Sequence, residues 1–324
     1  MKIRSFLKLV RIHTSSLTQG GVILAAILAG ERRIPILIAY ALWAILFHAV
    51  GFVDNNIEDY EHDRKDPAKR HFPLVTGEVS LRQAKIFCYM GMLIAFILGV
   101  FMAEFRLLPV AFLLLTFTFG RLYNALSKRS IFSPVYISGS FTSLVLFAYY
   151  SRYEGCDLNP LIALFTMYTF FLMFWQISWE GYIKDIESDR VNLLRIIGCK
   201  VQNGIFEPST LGKIFGWGFR IPTIIIGLAI LYVTGGELVV WLGFAVLSAS
   251  ILYSAHKLVK KQRYNHGETV MYCAVTEVLV YFSIVIALHG VLGTLATLTL
   301  IFYPILWFIT LNRITWKTWI TPRV

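Results

Sequence analysis

The residues whose types and spacing could do chemistry are acids, and they gather in two places. Asp54, Glu58, Asp59, Glu61, Asp63, Asp66 and Glu78 lie in one stretch; Glu180, Asp185, Glu187 and Asp189 lie in another. Together they are 11 of the 19 acids in a chain of 324 residues. The stretches also match each other. Asp59-Tyr-Glu-His-Asp63-Arg64 and Asp185-Ile-Glu-Ser-Asp189-Arg190 both read D-x-E-x-D-R. Positions i and i+4 share one helical face, so Asp59 and Asp63 make one carboxylate pair, and Asp185 and Asp189 another. Like charges at that spacing repel, and a divalent cation offsets the repulsion. Mg²⁺ binds through one or two carboxylates plus substrate phosphate oxygens. Acids that hold metal, with Lys and Arg nearby to touch phosphate directly, are what a diphosphate site requires. One charge run is ordinarily a solvated loop; two matched runs are not explained that way.

The elements that carry these acids are read from hydropathy. With 57% hydrophobic and 15% charged residues, the chain is too apolar for an ordinary soluble domain. A bilayer core needs about 20 apolar residues per helix, and such spans run near 14–30, 34–55, 83–103, 107–125, 131–150, 159–183, 213–233, 236–256, 268–289 and 291–312. The class is all-α and polytopic, with nine or ten transmembrane helices forming one integral membrane domain. Each D-x-E-x-D-R segment follows a span of the same orientation, four spans apart. That spacing predicts two pseudo-symmetric four-helix halves, about 1–130 and 131–260, with extra spans over about 268–312.

The formal charge of +11 does not call for nucleic acid, because topology accounts for it. With the N-terminus inside, 25 of the 30 basic residues fall on that side and only Arg32, Arg33, Arg106 and Arg152 on the other. This is the positive-inside rule. It places both termini and both acidic segments in the cytoplasm. The first span lacks a small-residue cleavage site and reads as a retained helix; a prokaryotic cell membrane is the expected location. Cys88, Cys156, Cys199 and Cys273 are too scattered for a zinc site or a disulfide framework. Within the spans, Glu277 is expected to have Arg220 as its partner, and His48 and His289 read as structural histidines.

Asn55-Asn56-Ile-Glu-Asp59-Tyr-Glu-His-Asp63 resembles the N-D-x-x-D-x-x-x-D signature of the UbiA superfamily of intramembrane prenyltransferases, with Asn56 where that family usually has Asp. Arg70-His-Phe-Pro73-Leu-Val-Thr-Gly77-Glu-Val-Ser80 is similar to its R-P-x-x-x-G-x-x-S continuation. Asp185-x-x-x-Asp189 is similar to its second acidic motif, and Arg11-Ile-His13-Thr to a common opening. Tyr123-Asn-Ala-Leu-Ser-Lys128 is one residue longer than its Y-x-x-x-K element. The likeness runs from the N-terminus to about residue 260.

The resemblance implies transfer of a prenyl group from an isoprenoid diphosphate donor to a hydrophobic acceptor, usually aromatic, within the lipid bilayer. Asn55, Asn56, Asp59 and Asp63 would hold one Mg²⁺, and Asp185 and Asp189 a second, the four aspartates being the catalytic set. Lys69, Arg70, Lys128, Lys184 and Arg190 are the expected diphosphate contacts. Aromatic faces stabilise a carbocation and exclude water; Tyr123, Trp179 and Tyr182 are assigned to the acceptor or cation pocket. Glu180, an ionisable group at the edge of a span, joins them as a group that orients the acceptor or takes its proton. A terpene cyclase of the same superfamily would use the same motifs without an acceptor. A transporter is a third reading, but its acids would sit near the membrane midplane rather than at the rim.

Overall fold

In the computed structural model of the protein, residues 3–65, 69–187, 189 and 191–317 are described. The long helices are α2 Ser15–Leu28, α3 Ile34–Glu58, α5 Leu81–Met102, α6 Leu107–Leu126, α7 Ser133–Tyr150, α8 Pro160–Trp175, α11 Thr210–Thr234, α12 Leu238–Val259, α13 His266–Ala287 and α14 His289–Trp316. Short helices intervene: α1 Ile3–Leu9, α4 Tyr60–Asp63, α9 Tyr182–Lys184 and α10 Leu193–Ile196. Among the described residues eight helices are long and apolar enough to cross a membrane, one of them running from the start of α8 to Lys184, while Ile12–Leu28 is apolar but shorter. The all-helical membrane architecture expected from hydropathy is therefore the one observed.

Breakers set the boundaries. Pro at the first turn opens α3 and α8, where its missing N–H is no loss. A capping box starts α5: Ser80 Oγ accepts from Gln83 N at 3.2 Å, and Gln83 Oε1 accepts from Ser80 N at 3.1 Å. The serine of the R-x-x-P-x-x-x-G-x-x-S stretch is thus a helix cap. Its glycine, Gly77, has φ +75°, a conformation that a side chain disfavours. The last two helices part at Leu288, and Gly293, with φ 73° and ψ 168°, kinks the start of α14.

The chain divides into two compact units. One comprises residues 1–125, 143–157 and 299–324. In it α3 packs against α2 and α5, and Trp43 Nε1 donates to the Ala95 carbonyl at 2.8 Å. Leu9, Val10, Val50, Val53, Leu74, Val79 and Cys88 form its buried cluster. The α2–α3 turn is fastened by Glu31, which accepts from Arg33 Nη2 at 2.7 Å and pairs with Arg152 Nε at 3.3 Å. The Arg33 guanidinium holds the Glu31 carboxyl down at about 2.

The other unit comprises residues 126–142 and 158–298. Here α11 packs on α8, and α12 on α13. Trp175, Trp179, Tyr182, Ile183, Phe206 and Leu258 lie in its buried cluster. It also holds an element that hydropathy did not announce, a small antiparallel sheet ordered β1 Lys200–Gln202, β2 Ile205–Glu207, β3 Gln262–Arg263.

Candidate active site

The first acidic segment grows directly out of a membrane-length helix. Asp59 is the C-cap of α3, and α4 follows at once. The Asp63 N–H donates to the Asp59 carbonyl at 2.9 Å, so the two carboxylates stand one helical turn apart, as their spacing implies. Asp63 is buried, and Lys69 Nζ lies 2.8 Å from its Oδ1. Lys69 is therefore the counterion of Asp63 in this structure. Arg70 is exposed. Asn56 is buried, and its Nδ2 donates to the carbonyls of Leu9 at 3.1 Å and Phe52 at 2.7 Å. That leaves its oxygen as the atom available to a ligand. Asn55 is half-buried on the same turn.

A pocket adjoins this segment, lined by Lys8, Arg11 and His13 together with Asn56, Tyr60, Asp63 and Trp316. His13 is 1% exposed, and neither ring nitrogen has a hydrogen-bond partner among the described residues. The N-terminal wall is held by the last helix: Trp307 Nε1 donates to the Ile12 carbonyl at 2.9 Å, and Arg4 Nε to the Thr315 carbonyl at 2.9 Å. His48, as expected, is structural, with Thr18 Oγ1 at 3.0 Å and Thr14 Oγ1 at 3.3 Å.

On the far face of α3, Asp54 and Glu58 repeat the i, i+4 spacing and are neutralised from α6. Arg121 Nη1 donates to Asp54 Oδ1 at 2.8 Å, Arg121 Nη2 reaches Glu58 Oε1 at 2.6 Å, and Asn124 Nδ2 donates to Asp54 Oδ2 at 2.8 Å. Sequence reading counted Arg121 only as a topology charge and overlooked Asn124. The spacing of Asp54 and Glu58 was a usable signal; the packing of α6 against that face was not. Tyr123 on α6 and Lys128 just beyond it are half-buried.

The second acidic segment is built differently. The helix ends at Lys184, and Asp185 caps it with φ −105°. Asp185 and Asp189 do not share a helical face, because no helix continues through them. A single turn joins them instead, the Asp189 N–H donating to the Asp185 carbonyl at 2.9 Å. Asn192 fastens this turn through Nδ2 to the Tyr182 carbonyl at 2.8 Å. The Lys184 carbonyl accepts from Tyr264 Oη at 2.7 Å and faces His266 Nδ1 at 3.1 Å. Burial pushes the Tyr264 phenol up to about 12; it is the neutral phenol that donates this bond. Lys184 is half-buried, and Arg190 lies outside the described residues.

Three residues assigned to the acceptor pocket prove to be packed inside this unit. Trp179 is 0% exposed, Tyr182 hydrogen-bonds with Ser133 Oγ at 2.9 Å, and Glu180 is 1% exposed. Arg220, expected beside Glu277, has Glu180 as its ion-pair partner, Nη2 to Oε1 3.6 Å. Glu277 stands within electrostatic range of both.

Among the described residues no group of three or more His, Cys, Asp or Glu could by itself hold a metal ion. The donors present suit Mg²⁺ nonetheless. They are all oxygens, and a carboxylate pair in each segment matches a cation that keeps some positions for waters and substrate phosphate.

The family model described as UbiA prenyltransferase family matches residues 20–275. Digeranylgeranylglyceryl phosphate synthase of Methanococcus aeolicus is 32% identical over 105 residues, 31% of this chain and 37% of that protein. The match thus spans little more than a third of that relative's length. A solved digeranylgeranylglyceryl phosphate synthase superposes with TM-score 0.65 at 16% identity, covering 90% of this chain and 99% of that one. A UbiA homologue from Aeropyrum pernix K1 gives 0.65 at 15% identity, over 85% and 98% of the two chains. A UbiA homologue from Archaeoglobus fulgidus bound to GPP and Mg²⁺ gives 0.57 at 15% identity, over 86% and 99%. At these identities the likeness is one of fold.

Proposed function

This chain belongs to the UbiA prenyltransferase family, and from that premise we propose that it transfers a prenyl group from an isoprenoid diphosphate to a lipophilic acceptor. The observation that carries this reading is the pair of matched acidic segments, each folded so that its two aspartates stand one turn apart at the end of a membrane-length helix. Solved UbiA homologues bound to GPP and Mg²⁺ and to DMAPP and Mg²⁺ support the choice of donor and cation.

In this reading Asn55, Asn56, Asp59 and Asp63 would hold one Mg²⁺, and Asp185 and Asp189 another. The cation would supply Lewis-acid stabilisation of the negative charge that develops on the diphosphate as the allylic C–O bond breaks. The chain's own residues do the rest. Lys69, Arg70, Lys128, Lys184 and Arg190 are the candidate diphosphate contacts, and Lys69 would have to leave Asp63 to serve as one. Lys8, Arg11 and His13 offer further N–H donors beside Asn56 and Asp63. Tyr123, Trp179 and Tyr182 are the aromatic residues assigned to the acceptor or cation pocket. The spans exclude water that would quench the cation. The positive-inside distribution supports cytoplasmic termini and a cytoplasmic mouth for the site.

The test is diphosphate release by detergent-solubilised protein given GPP, with Mg²⁺ or EDTA, and with or without a panel of lipophilic acceptors. Release that requires both Mg²⁺ and an acceptor is expected, and Asp59→Asn lowers it by about 100-fold or more, the scale for losing one group that stabilises developing charge. Release with donor alone, accompanied by a terpene product, would instead identify a cyclase.

A further inference from the structure

The sixth long span is not α-helical throughout. After α8 the backbone forms a π-helical turn, Gln176–Gly181, before the single α turn Tyr182–Lys184 that delivers Asp185. A π turn accommodates one extra residue, so everything after it is rotated by about 100° relative to an uninterrupted α-helix. The direction in which Lys184 and Asp185 leave the span therefore depends on this turn.

A buried ion pair bridges the turn to α11. Glu180 lies within the π turn, and its Oε1 is 3.6 Å from Arg220 Nη2, with both side chains 1% exposed. The guanidinium of Arg220 lies over the Trp175 ring, 3.7 Å from its centroid, at the α-to-π junction. Trp175 is tied to the same helix as Arg220, its Nε1 donating to the Gly216 carbonyl at 2.6 Å. The pair is poorly satisfied: Arg220 Nε and Nη1 lack hydrogen-bond partners among the described residues, and Glu180 also faces a second buried carboxylate, Glu277. Such a pair is weak support for stability, and well-packed apolar residues of similar volume generally serve as well or better. Within a membrane span its charges are costlier still. What the pair does supply is a fixed link between one residue of the π turn and one residue of a neighbouring span.

We propose that Glu180 and Arg220 are positioning residues, whose ion pair holds the π turn in register and so sets the direction in which Lys184 and Asp185 meet the metal–diphosphate. This rests on the reading that Asp185 serves that ligand. It gives Glu180 a role through the second acidic segment rather than on the acceptor.

The test uses the full chain in detergent with GPP as probe, and compares wild type, Asp185→Asn, the apolar pair Glu180→Met/Arg220→Met and the charge swap Glu180→Arg/Arg220→Glu. Wild-type GPP binding that depends on Mg²⁺ and falls in Asp185→Asn supports the underlying reading; its absence sinks that reading on its own. Given that binding, the apolar pair should retain or raise Tm. It should need at least tenfold more Mg²⁺ for half-maximal GPP binding, and leave the acceptor KM within about twofold. Amide exchange should rise at least tenfold over residues 176–187 and stay unchanged over residues 160–172. The swap should recover part of the Mg²⁺ affinity, and it decides the matter if the apolar pair fails to fold. Unchanged Mg²⁺ requirement in both double variants would overturn the proposal. So would an effect confined to the acceptor KM, which would place Glu180 on the acceptor.

Discussion

Asn56 stands where the family signature usually carries aspartate, and its packing explains the exchange. Its Nδ2 donates to two backbone carbonyls, those of Leu9 and Phe52, which an ionised carboxylate cannot do. The side chain ties the N-terminal segment to α3 and keeps only its oxygen for a ligand. Restoring the commoner residue with Asn56→Asp would set a negative charge against two carbonyl oxygens. That variant should lose about 1–3 kcal/mol of stability, read as a lower Tm, and gain no activity from the extra charge. Lys69 makes the same point from the other side. The family resemblance offered it as a diphosphate contact, yet it pairs with Asp63 at 2.8 Å, so any phosphate must compete with that carboxylate.

Among the elements, α3 and α8 show how far periodicity carries. Both were legible as spans, and the acids sit at their C-terminal ends as expected. After α3 the turn from Asp59 to Asp63 keeps helical spacing. After α8 the chain first takes a π turn and then leaves the helix at Asp185, because tertiary contacts to Arg220, Asn192, Tyr264 and His266 outweigh local propensity. The small sheet was missed for a different reason. Gln202-Asn203-Gly204-Ile205 carries the Asn-Gly signal of a two-residue hairpin turn, but it lies in a stretch read only for its charges. Asn203 and Gly204 have φ of 51° and 71°, and Tyr264 N–H donates to the Gly204 carbonyl at 2.8 Å. Gly204→Ala should therefore cost about 1–2 kcal/mol through its left-handed conformation. The expected result is a lower Tm, with exchange rising first over residues 200–207.

For the whole molecule, the distribution of basic residues makes a claim that chemical labelling can check. Cys88, Cys199 and Cys273 are buried, and Cys156 is exposed in the loop between α7 and α8, which the basic-residue distribution predicts to lie outside. In right-side-out vesicles a membrane-impermeant maleimide should label one cysteine, and Cys156→Ser should abolish the signal. Labelling only in inverted vesicles would reverse the orientation and put the acids outside. By itself the sequence determined the helical membrane class, the positions of the long helices to within a few residues, and the two acidic segments with their family. These follow from local hydropathy, from breakers such as Pro160 and the Ser80 cap, and from i, i+4 spacing, all of which are properties of neighbours along the chain. Only the tertiary structure decided that Asp54 and Glu58 answer to Arg121, that Arg220 pairs with Glu180, and that Asp185 and Asp189 meet across a turn. Those outcomes depend on which helix faces pack together, and the energies that choose among faces arise between residues far apart in sequence.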